Sequence, residues 1–271
     1  MSLPDVWRGR WALVTGAGEG IGLALADGFA RSGMHVAVLD IRIEAADAAA
    51  AQLAAYGVQT LALACDVSDR QSVQATADRL SEDGIRPSLL WINAGVGVGA
   101  SLVDANPRTV EWVYGVNVLG AVWTAQAFVP LMADSGPRHV GLTASSASVT
   151  EISGPFTLYA ASKQATAAVG EALRAELATK GIGVTILCPG VLNTAIWDAA
   201  RARPERFGGV RRQPPATGER WRQAPGPEVV VGPALASIAA GGGWCVVPTE
   251  PATAGGIDAR HAAVKAGLPP R

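Results

Sequence analysis

Short apolar runs alternate along the chain with longer amphipathic runs. The apolar runs predict six strands, at 10–15, 34–40, 58–66, 88–92, 139–143 and 183–187. The amphipathic runs predict helices at 20–31, 44–56, 68–83 (with Ser68 as the cap), 107–132 and 157–179. Strands joined by helical crossovers of this length pair in parallel. The pattern therefore predicts an α/β fold with one parallel sheet covered by helices on both faces.

The alternation fails over 195–227. This stretch holds five prolines, and seven arginines against three acidic residues. An irregular segment of this length is typical of a functional lid or of partial disorder, and we expect a lid loop on the substrate side. Beyond it, the pattern predicts a helix over 228–240 and a seventh strand over 244–247. The tail over 248–271 is interrupted by Pro and Gly and has one short helical stretch at 257–266.

Composition narrows the class of protein. Of the 271 residues, 49% are hydrophobic and 17% are charged, below the roughly 25% charged share of an average globular protein. The chain can therefore bury a large core, and its length fits a single α/β domain over 1–271. The net charge of −1 gives no basic excess for nucleic acid or for an anionic membrane.

The cysteines and the apolar stretches bear on the compartment. Three cysteines without CxxC spacing predict neither a disulfide framework nor a zinc site, and no cluster of His, Asp and Glu has ligand spacing. The first ten residues lack the apolar core of a secretory signal. The most apolar stretch, 116–133, is interrupted by polar residues and by proline, unlike a spanning helix. We expect a cytoplasmic protein without a metal.

The first predicted strand runs into a glycine-rich turn, TGAGEGIG at 15–22. Glycines permit positive φ and a close approach of the backbone to a diphosphate, and the helix that follows points free N–H groups at it. Asp40 ends the next strand, where a dinucleotide site places a carboxylate on the adenosine ribose hydroxyls. The turn residues expected at the cofactor are Gly16, Gly18, Glu19, Gly20, Ile21 and Gly22.

Asp40 also predicts which dinucleotide binds. A carboxylate accepts hydrogen bonds from a ribose 2′-hydroxyl but repels a 2′-phosphate. The glycine turn contains no Lys or Arg, and Glu19 adds negative charge to it. Arg42 lies two residues beyond Asp40 and is the alternative partner for a phosphate. We therefore predict NAD in preference to NADP.

Tyr159 and Lys163 lie four residues apart at the start of a predicted helix. This spacing puts the phenol and the ammonium on one helix face. A tyrosine with its ordinary pKa near 10 is a poor base at neutral pH, and a neighbouring cation stabilises the phenolate. The pair predicts a tyrosine that can exchange a proton with an alcohol or a carbonyl oxygen.

Together these features resemble the short-chain dehydrogenase/reductase family, in its compact single-domain branch. The matching positions follow the family order over about 10–194: Thr15-Gly16-x-x-x-Gly20-Ile21-Gly22, Asp66-Val67, Asn93-Ala94-Gly95, Asn117, Ser146, Tyr159-x-x-x-Lys163 and Pro189-Gly190 with Thr194. The resemblance implies a Rossmann-type, doubly wound sheet of about seven strands. The ending differs from that of many members, which place an Asp-Gly-Gly turn after the last strand.

The resemblance also implies a role for each motif. Tyr159 would be the catalytic acid and base, and Lys163 would lower its pKa and bind the nicotinamide ribose. Ser146, 13 residues before Tyr159, would hydrogen-bond the reacting oxygen, with Ser145 and Ser148 as the alternatives. Asn117 would kink its helix and hold a water that relays protons to Lys163. The remaining cofactor contacts implied are Asp66 and Val67 at the adenine, Asn93 beside the cofactor, and Leu192 and Thr194 at the carboxamide.

The predicted activity is the interconversion of a hydrophobic or aromatic secondary alcohol and its ketone. The alternatives are a non-catalytic NAD-binding sensor or scaffold, an NADP-dependent carbonyl reductase, and an epimerase of the same superfamily. The arginines of 195–227 leave open an anionic substrate paired with the lid. A homodimer or homotetramer is expected by analogy, through the helices at 107–132 and 157–179.

Overall fold

Seven parallel strands form one sheet in the order β3-β2-β1-β4-β5-β6-β7 in a computed structural model that describes residues 2–152 and 154–267. The strands are β1 (Trp11–Thr15), β2 (His35–Asp40), β3 (Thr60–Ala64), β4 (Pro87–Ile92), β5 (His139–Thr143), β6 (Gly183–Pro189) and β7 (Gly242–Val247). The order reverses between β1 and β4. Their carboxyl ends therefore open a crevice where ligands bind in sheets of this kind.

Helices cover both faces of the sheet, and a hydrophobic core fills each interface. The helices are α1 (Gly20–Arg31), α2 (Ile43–Ala54), α3 (Arg70–Glu82), α4 (Pro107–Tyr114), α5 (Gly120–Phe128), α6 (Thr157–Ala178), α7 (Glu219–Arg222), α8 (Val231–Ala239) and α9 (Ala252–Ala266). The predicted α/β fold, with its single doubly wound sheet, is confirmed. No helix in 2–152 or 154–267 is long and apolar enough to cross a membrane.

Trp91, near the carboxyl end of β4, illustrates how the sheet is packed. The side chain is fully buried, and its indole N–H donates to the Thr143 hydroxyl at 3.0 Å. Its neighbour in the register is Gly141 of β5, where a Cβ atom would lie 2.1 Å from the indole ring. A side chain at position 141 would therefore displace the largest residue of the core.

The helix predicted over 107–132 is interrupted. Five residues, Gly115–Leu119, form a π-helical segment between α4 and α5, and a 3-10 turn, Val129–Leu131, follows α5. A π segment adds a residue to the turn and redirects the helix, often at functional sites. Trp112 and Phe128, two aromatic residues of the stretch 107–132 expected at an oligomer interface, lie buried in the core.

Two smaller predictions need correction. Ser68 does not cap the helix over 68–83, because the N-cap of α3 is Asp69, whose carboxylate accepts from the Gln71 N–H at 2.9 Å. The tail helix α9 starts at Ala252 and not at 257. Residues 268–271 of the predicted tail lie outside the described residues.

Candidate active site

The glycine-rich turn after β1 exposes backbone without side chains to the crevice. Gly16 and Gly20 have φ of 61° and 57°, conformations that favour glycine. A Cβ atom on Gly16 would lie 2.8 Å from the Ala94 Cα, and one on Gly22 would lie 2.2 Å from the Gly16 carbonyl oxygen. No side chain caps the start of α1. Its first N–H groups are therefore available to an anion, together with the positive end of the helix dipole.

Asp40 ends β2 beside this turn and is 7% exposed. One carboxylate oxygen accepts from the Gly18 N–H at 3.1 Å, and the other accepts from the Arg42 N–H at 3.0 Å. A Cβ atom on Gly18 would lie 2.8 Å from this carboxylate, so the turn needs glycine there to receive it. The Arg42 guanidinium forms ion pairs with both acids: its Nη2 lies 3.0 Å from Glu19 Oε2, and its Nε lies 4.0 Å from Asp40 Oδ1. The candidate phosphate-binding cation is therefore held by two carboxylates of the protein.

Tyr159 and Lys163 lie one turn apart in the first half of α6. The Lys163 ammonium is buried and donates to the Thr143 carbonyl oxygen at 2.9 Å. Burial lowers the pKa of Lys163 to about 8, because desolvation disfavours the ammonium. Burial raises the pKa of Tyr159, and a hydrogen bond from the Ser145 side chain acts in the opposite direction. Burial therefore disfavours the charged form of both side chains.

Three serines follow β5, and two of them, Ser145 and Ser146, line the cavity. The Ser145 hydroxyl partly offsets the rise in the pKa of Tyr159 that burial causes, and it accepts from the Ala147 N–H at 3.2 Å. Ser146 accepts from the Thr150 hydroxyl through its main-chain oxygen, and the Ser148 hydroxyl donates to the Lys163 carbonyl oxygen at 2.7 Å. Ser146, selected by spacing, and Ser145 therefore both stay candidates for the serine at the reacting oxygen.

Asn117 lies in the π-helical segment, behind the cavity wall. Its carboxamide oxygen accepts from the Val96 N–H at 2.8 Å, and its NH₂ group donates to the Val96 carbonyl and to the Ser162 hydroxyl, each at 3.0 Å. The Thr166 hydroxyl donates to its main-chain oxygen at 2.9 Å. Asn117 therefore ties the loop after β4 to α6, the helix that carries Tyr159.

Asn93 and Asp66 each form hydrogen bonds that hold segments of the cavity wall in place. The Asn93 NH₂ group donates to the Gly16 carbonyl at 3.0 Å and braces the glycine turn. One oxygen of Asp66 accepts from the Ser68 hydroxyl at 2.6 Å, and the other accepts from Arg206 at 2.7 Å. Val67 beside it is 6% exposed.

One cavity of about 590 Å³ connects these groups. Most of the predicted site residues line it: Gly16, Glu19, Gly20, Ile21, Asp40, Asp66, Val67, Asn93, Ser146, Tyr159, Lys163, Leu192 and Thr194. Three predicted residues, Gly18, Gly22 and Asn117, lie outside the lining and support it. The Thr194 side chain lies close to Gly20, where a Cβ atom would be 3.4 Å from its methyl carbon.

A comparison with models of protein families shows which family the chain belongs to. A family model for short chain dehydrogenases matches residues 10–205. The chain belongs to the short-chain dehydrogenase family. The protein is therefore an oxidoreductase of that family, as its fold and motifs predicted.

Individual relatives agree with this assignment. The chain is 38% identical over 203 residues to 1-deoxy-11-beta-hydroxypentalenate dehydrogenase of Streptomyces exfoliatus, covering 74% of this chain and 73% of that protein. It is 35% identical over 184 residues to the probable oxidoreductase EphD of Mycobacterium tuberculosis, covering 68% of this chain and 31% of that longer protein. The crystal structure of a short chain dehydrogenase/reductase from Burkholderia phymatum in complex with NAD is 31% identical. Its TM-score is 0.85, and the alignment covers 98% of this chain and 97% of that one.

Structures with this short-chain dehydrogenase fold have been solved with NAD and with NADPH. The cofactor of the family is therefore a nicotinamide dinucleotide, and the fold alone does not discriminate between the two forms.

Sequence reasoning missed two arginines that reach the cofactor groove of this short-chain dehydrogenase. Arg201 forms an ion pair with Glu19 of the glycine turn, and Arg206 pairs with Asp66. Both come from the irregular 195–227 segment and meet partners 182 and 140 residues away in the chain. No local pattern signals contacts of such long range.

Proposed function

We propose that this oxidoreductase interconverts a secondary alcohol and a ketone and prefers NAD. The observation that carries the proposal is the continuity of one cavity. It joins the Tyr159 phenol, the Lys163 ammonium and the Ser145 hydroxyl to the bare glycine turn and to Asp40. A proton donor and a dinucleotide groove that open into the same space can serve one hydride-transfer reaction.

The residues present fit a nicotinamide dinucleotide. The uncapped start of α1 offers free N–H groups to the diphosphate, and the turn around Gly16 has no side chain to keep the diphosphate from the backbone. Asp40 would accept from the adenosine ribose, Asp66 and Val67 would flank the adenine, and Leu192 and Thr194 would flank the nicotinamide. The bound nicotinamide supplies the hydride acceptor in oxidation and the hydride donor in reduction.

Residues of α6 and of the loop after β5 would transfer the proton and position the reacting oxygen. The Tyr159 phenolate takes the proton of the alcohol in oxidation, and the phenol returns it to the carbonyl oxygen in reduction. The Lys163 ammonium stabilises the phenolate, because an adjacent cation favours the charged form. Ser145 donates a hydrogen bond to the reacting oxygen and fixes its position beside Tyr159. Asn117 acts through the backbone it holds, by orienting α6 against the loop after β4.

The charges near Asp40 support the preference for NAD. A buried carboxylate at the ribose position repels a 2′-phosphate. Arg42, the cation that would offset this repulsion, is engaged by Glu19 at 3.0 Å. Glu19 in turn pairs with Arg201 of the lid segment. The local charges are therefore balanced before any phosphate arrives.

The substrate end of the cavity supports an apolar or aromatic alcohol. Its wall includes Phe156 and Trp221, whose rings meet edge to face with centroids 6.0 Å apart, and Trp197. These side chains come from both sides of the opening. The 195–227 segment would act as the substrate lid. The similarity to 1-deoxy-11-beta-hydroxypentalenate dehydrogenase, which is named for a hydroxylated substrate, agrees with an alcohol as the group that is oxidised.

Two further expectations complete the proposal. The three cysteines are free and buried, which suits a reducing compartment such as the cytoplasm. A homodimer or homotetramer would use the outer faces of α5 and α6, where Leu119 is 45% exposed at the start of α5.

A matched pair of serine variants tests the proposed chemistry. We expect Ser145→Ala to lower kcat for NAD-linked oxidation of secondary alcohols about 10²- to 10³-fold, the cost of losing one donor to the reacting oxygen. Ser146→Ala, changed at the next residue, should retain activity within a few-fold. Fluorescence titration with NADH should give equal affinities for both. Loss of turnover in Ser146→Ala alone would contradict the assignment.

A further inference from the structure

A second cavity of about 340 Å³ adjoins the first. The two share part of their walls, including Val98, Gly99, Trp112 and Ala200. A substrate held at Tyr159 could therefore extend a substituent into this space. Two arginines of the 195–227 segment, Arg203 and Arg211, also line the second cavity.

Arg203 is a buried cation without an acidic partner. The residue is 6% exposed, and its guanidinium lies 4.9 Å from the centre of the Trp112 ring. One terminal nitrogen donates to the Thr109 hydroxyl at 3.2 Å, and the buried Nε has no hydrogen-bond partner. Across 2–152 and 154–267, no carboxylate lies within 4 Å of this guanidinium. Buried charges are normally paired, so this group calls for a ligand.

The charged neighbours make the need for an anion stronger. Burial and two nearby cations, Arg211 and Arg108, all lower the pKa of Arg203, because each disfavours its charged form. Asp104 lines the same cavity but forms no ion pair with it. An anion in the cavity would favour the charged form of Arg203 and so offset the lowering of its pKa by burial and by the two cations.

The other lid arginines behave differently. Arg201, Arg206 and Arg220 form ion pairs with Glu19, Asp66 and Glu250. Arg211 lines the second cavity beside Arg203 but is exposed to solvent. Arg203 combines burial, the lack of an acidic partner and a position on the wall of the second cavity.

We infer that Arg203 binds an oxyanion carried by the substrate, a carboxylate or a phosphate monoester at the far end of an apolar alcohol or ketone. The planar guanidinium suits either oxyanion. The apolar wall shared by the two cavities would accommodate the chain between the anion and the reacting carbon. This inference deepens the proposed function and rests on it for the identity of the reaction.

Direct titration tests the site without any turnover. Hexanoate, hexyl phosphate and neutral hexanamide are titrated calorimetrically into the wild-type protein, Arg203→Met and Arg212→Met. Arg212 is an exposed arginine of the same segment that lines neither cavity, and serves as the matched control. Arg203→Gln, which removes the charge and keeps a polar side chain, replaces Arg203→Met if that variant does not fold.

We expect hexanoate or hexyl phosphate to bind the wild type and Arg212→Met equally, with Kd raised at least tenfold in Arg203→Met. The tighter of the two probes identifies the oxyanion. Hexanamide should bind all three proteins equally weakly. Equal affinity of wild type and Arg203→Met for both anions would overturn the inference, as would hexanamide binding as tightly as hexanoate.

A parallel measurement separates this inference from the proposed function. NADH fluorescence titration and turnover of 5-oxohexanoate and its methyl ester are followed in the same proteins. Absence of NADH binding, with the anion titration as expected, would refute the proposed function alone. Turnover of the ester and the acid with the same relative kcat/KM in wild type and Arg203→Met would refute the anion site alone.

Discussion

Replacement of Asp40 by Ser tests the electrostatic account of cofactor choice. Asp40 is 7% exposed, and its carboxylate accepts from the backbone N–H groups of Gly18 and Arg42. The substitution removes one negative charge from the ribose end of the groove. It also leaves Arg42 with Glu19 as its remaining acidic neighbour, so part of its charge becomes available to a 2′-phosphate.

The size of the effect follows from the charge that is removed. Two unit charges about 5 Å apart repel by ~3 kcal/mol at an effective dielectric constant of ~20, and by ~1 kcal/mol in water. Each 1.4 kcal/mol corresponds to about a tenfold change in Kd. We therefore expect the ratio of the Kd of NADPH to that of NADH to fall about 5- to 150-fold in Asp40→Ser.

Fluorescence titration of both reduced cofactors measures this ratio in wild type, Asp40→Ser and Asp47→Ser. Asp47 is an exposed acid of α2 outside the cavity, and its loss should leave the ratio unchanged. An unchanged ratio in Asp40→Ser would refute the reasoning. An equal loss of affinity for both cofactors would mean that Asp40 supports the turn and does not select the cofactor.

Two other substitutions have expected outcomes. Gly22→Ala places a Cβ atom 2.2 Å from the Gly16 carbonyl, so NADH affinity should fall at least tenfold, whereas Gly255→Ala, with open space around it, should bind NADH normally. Burial lowers the pKa of His139 to about 4, so the unfolded chain binds the extra proton first as pH falls. The free energy of unfolding should fall by up to about 3 kcal/mol between pH 6.5 and 4. His139→Gln should lack this loss in urea titrations, and parallel curves for the two proteins would contradict the assignment.

The strands and most helices could be predicted from the sequence, because each has a characteristic local pattern of apolar and polar residues. Buried parallel strands such as β2 and β6 are unbroken apolar runs, and α1 ends at the residue that the pattern predicts. The pattern predicted the last ten of the fifteen residues of α9. It missed the first five, 252–256, because Gly255 and Gly256 lower the helix propensity there.

The features that escaped prediction depend on long-range or backbone geometry. The π-helical segment around Asn117 keeps an apolar helical pattern, so periodicity alone reads it as continuous helix. Spacing alone does not choose between the adjacent Ser145 and Ser146, because the direction of each side chain depends on how the chain turns after β5. The ion pairs of Arg201 and Arg206 join positions more than a hundred residues apart.

The central claim is that Tyr159 exchanges the proton during hydride transfer to NAD. Its most direct test is NADH formation from NAD across aliphatic, aromatic and steroidal secondary alcohols, with wild type and Tyr159→Phe measured side by side. The account predicts turnover by the wild type and a loss of at least 10²-fold in Tyr159→Phe, with NADH affinity retained. Equal turnover by the two proteins would contradict it.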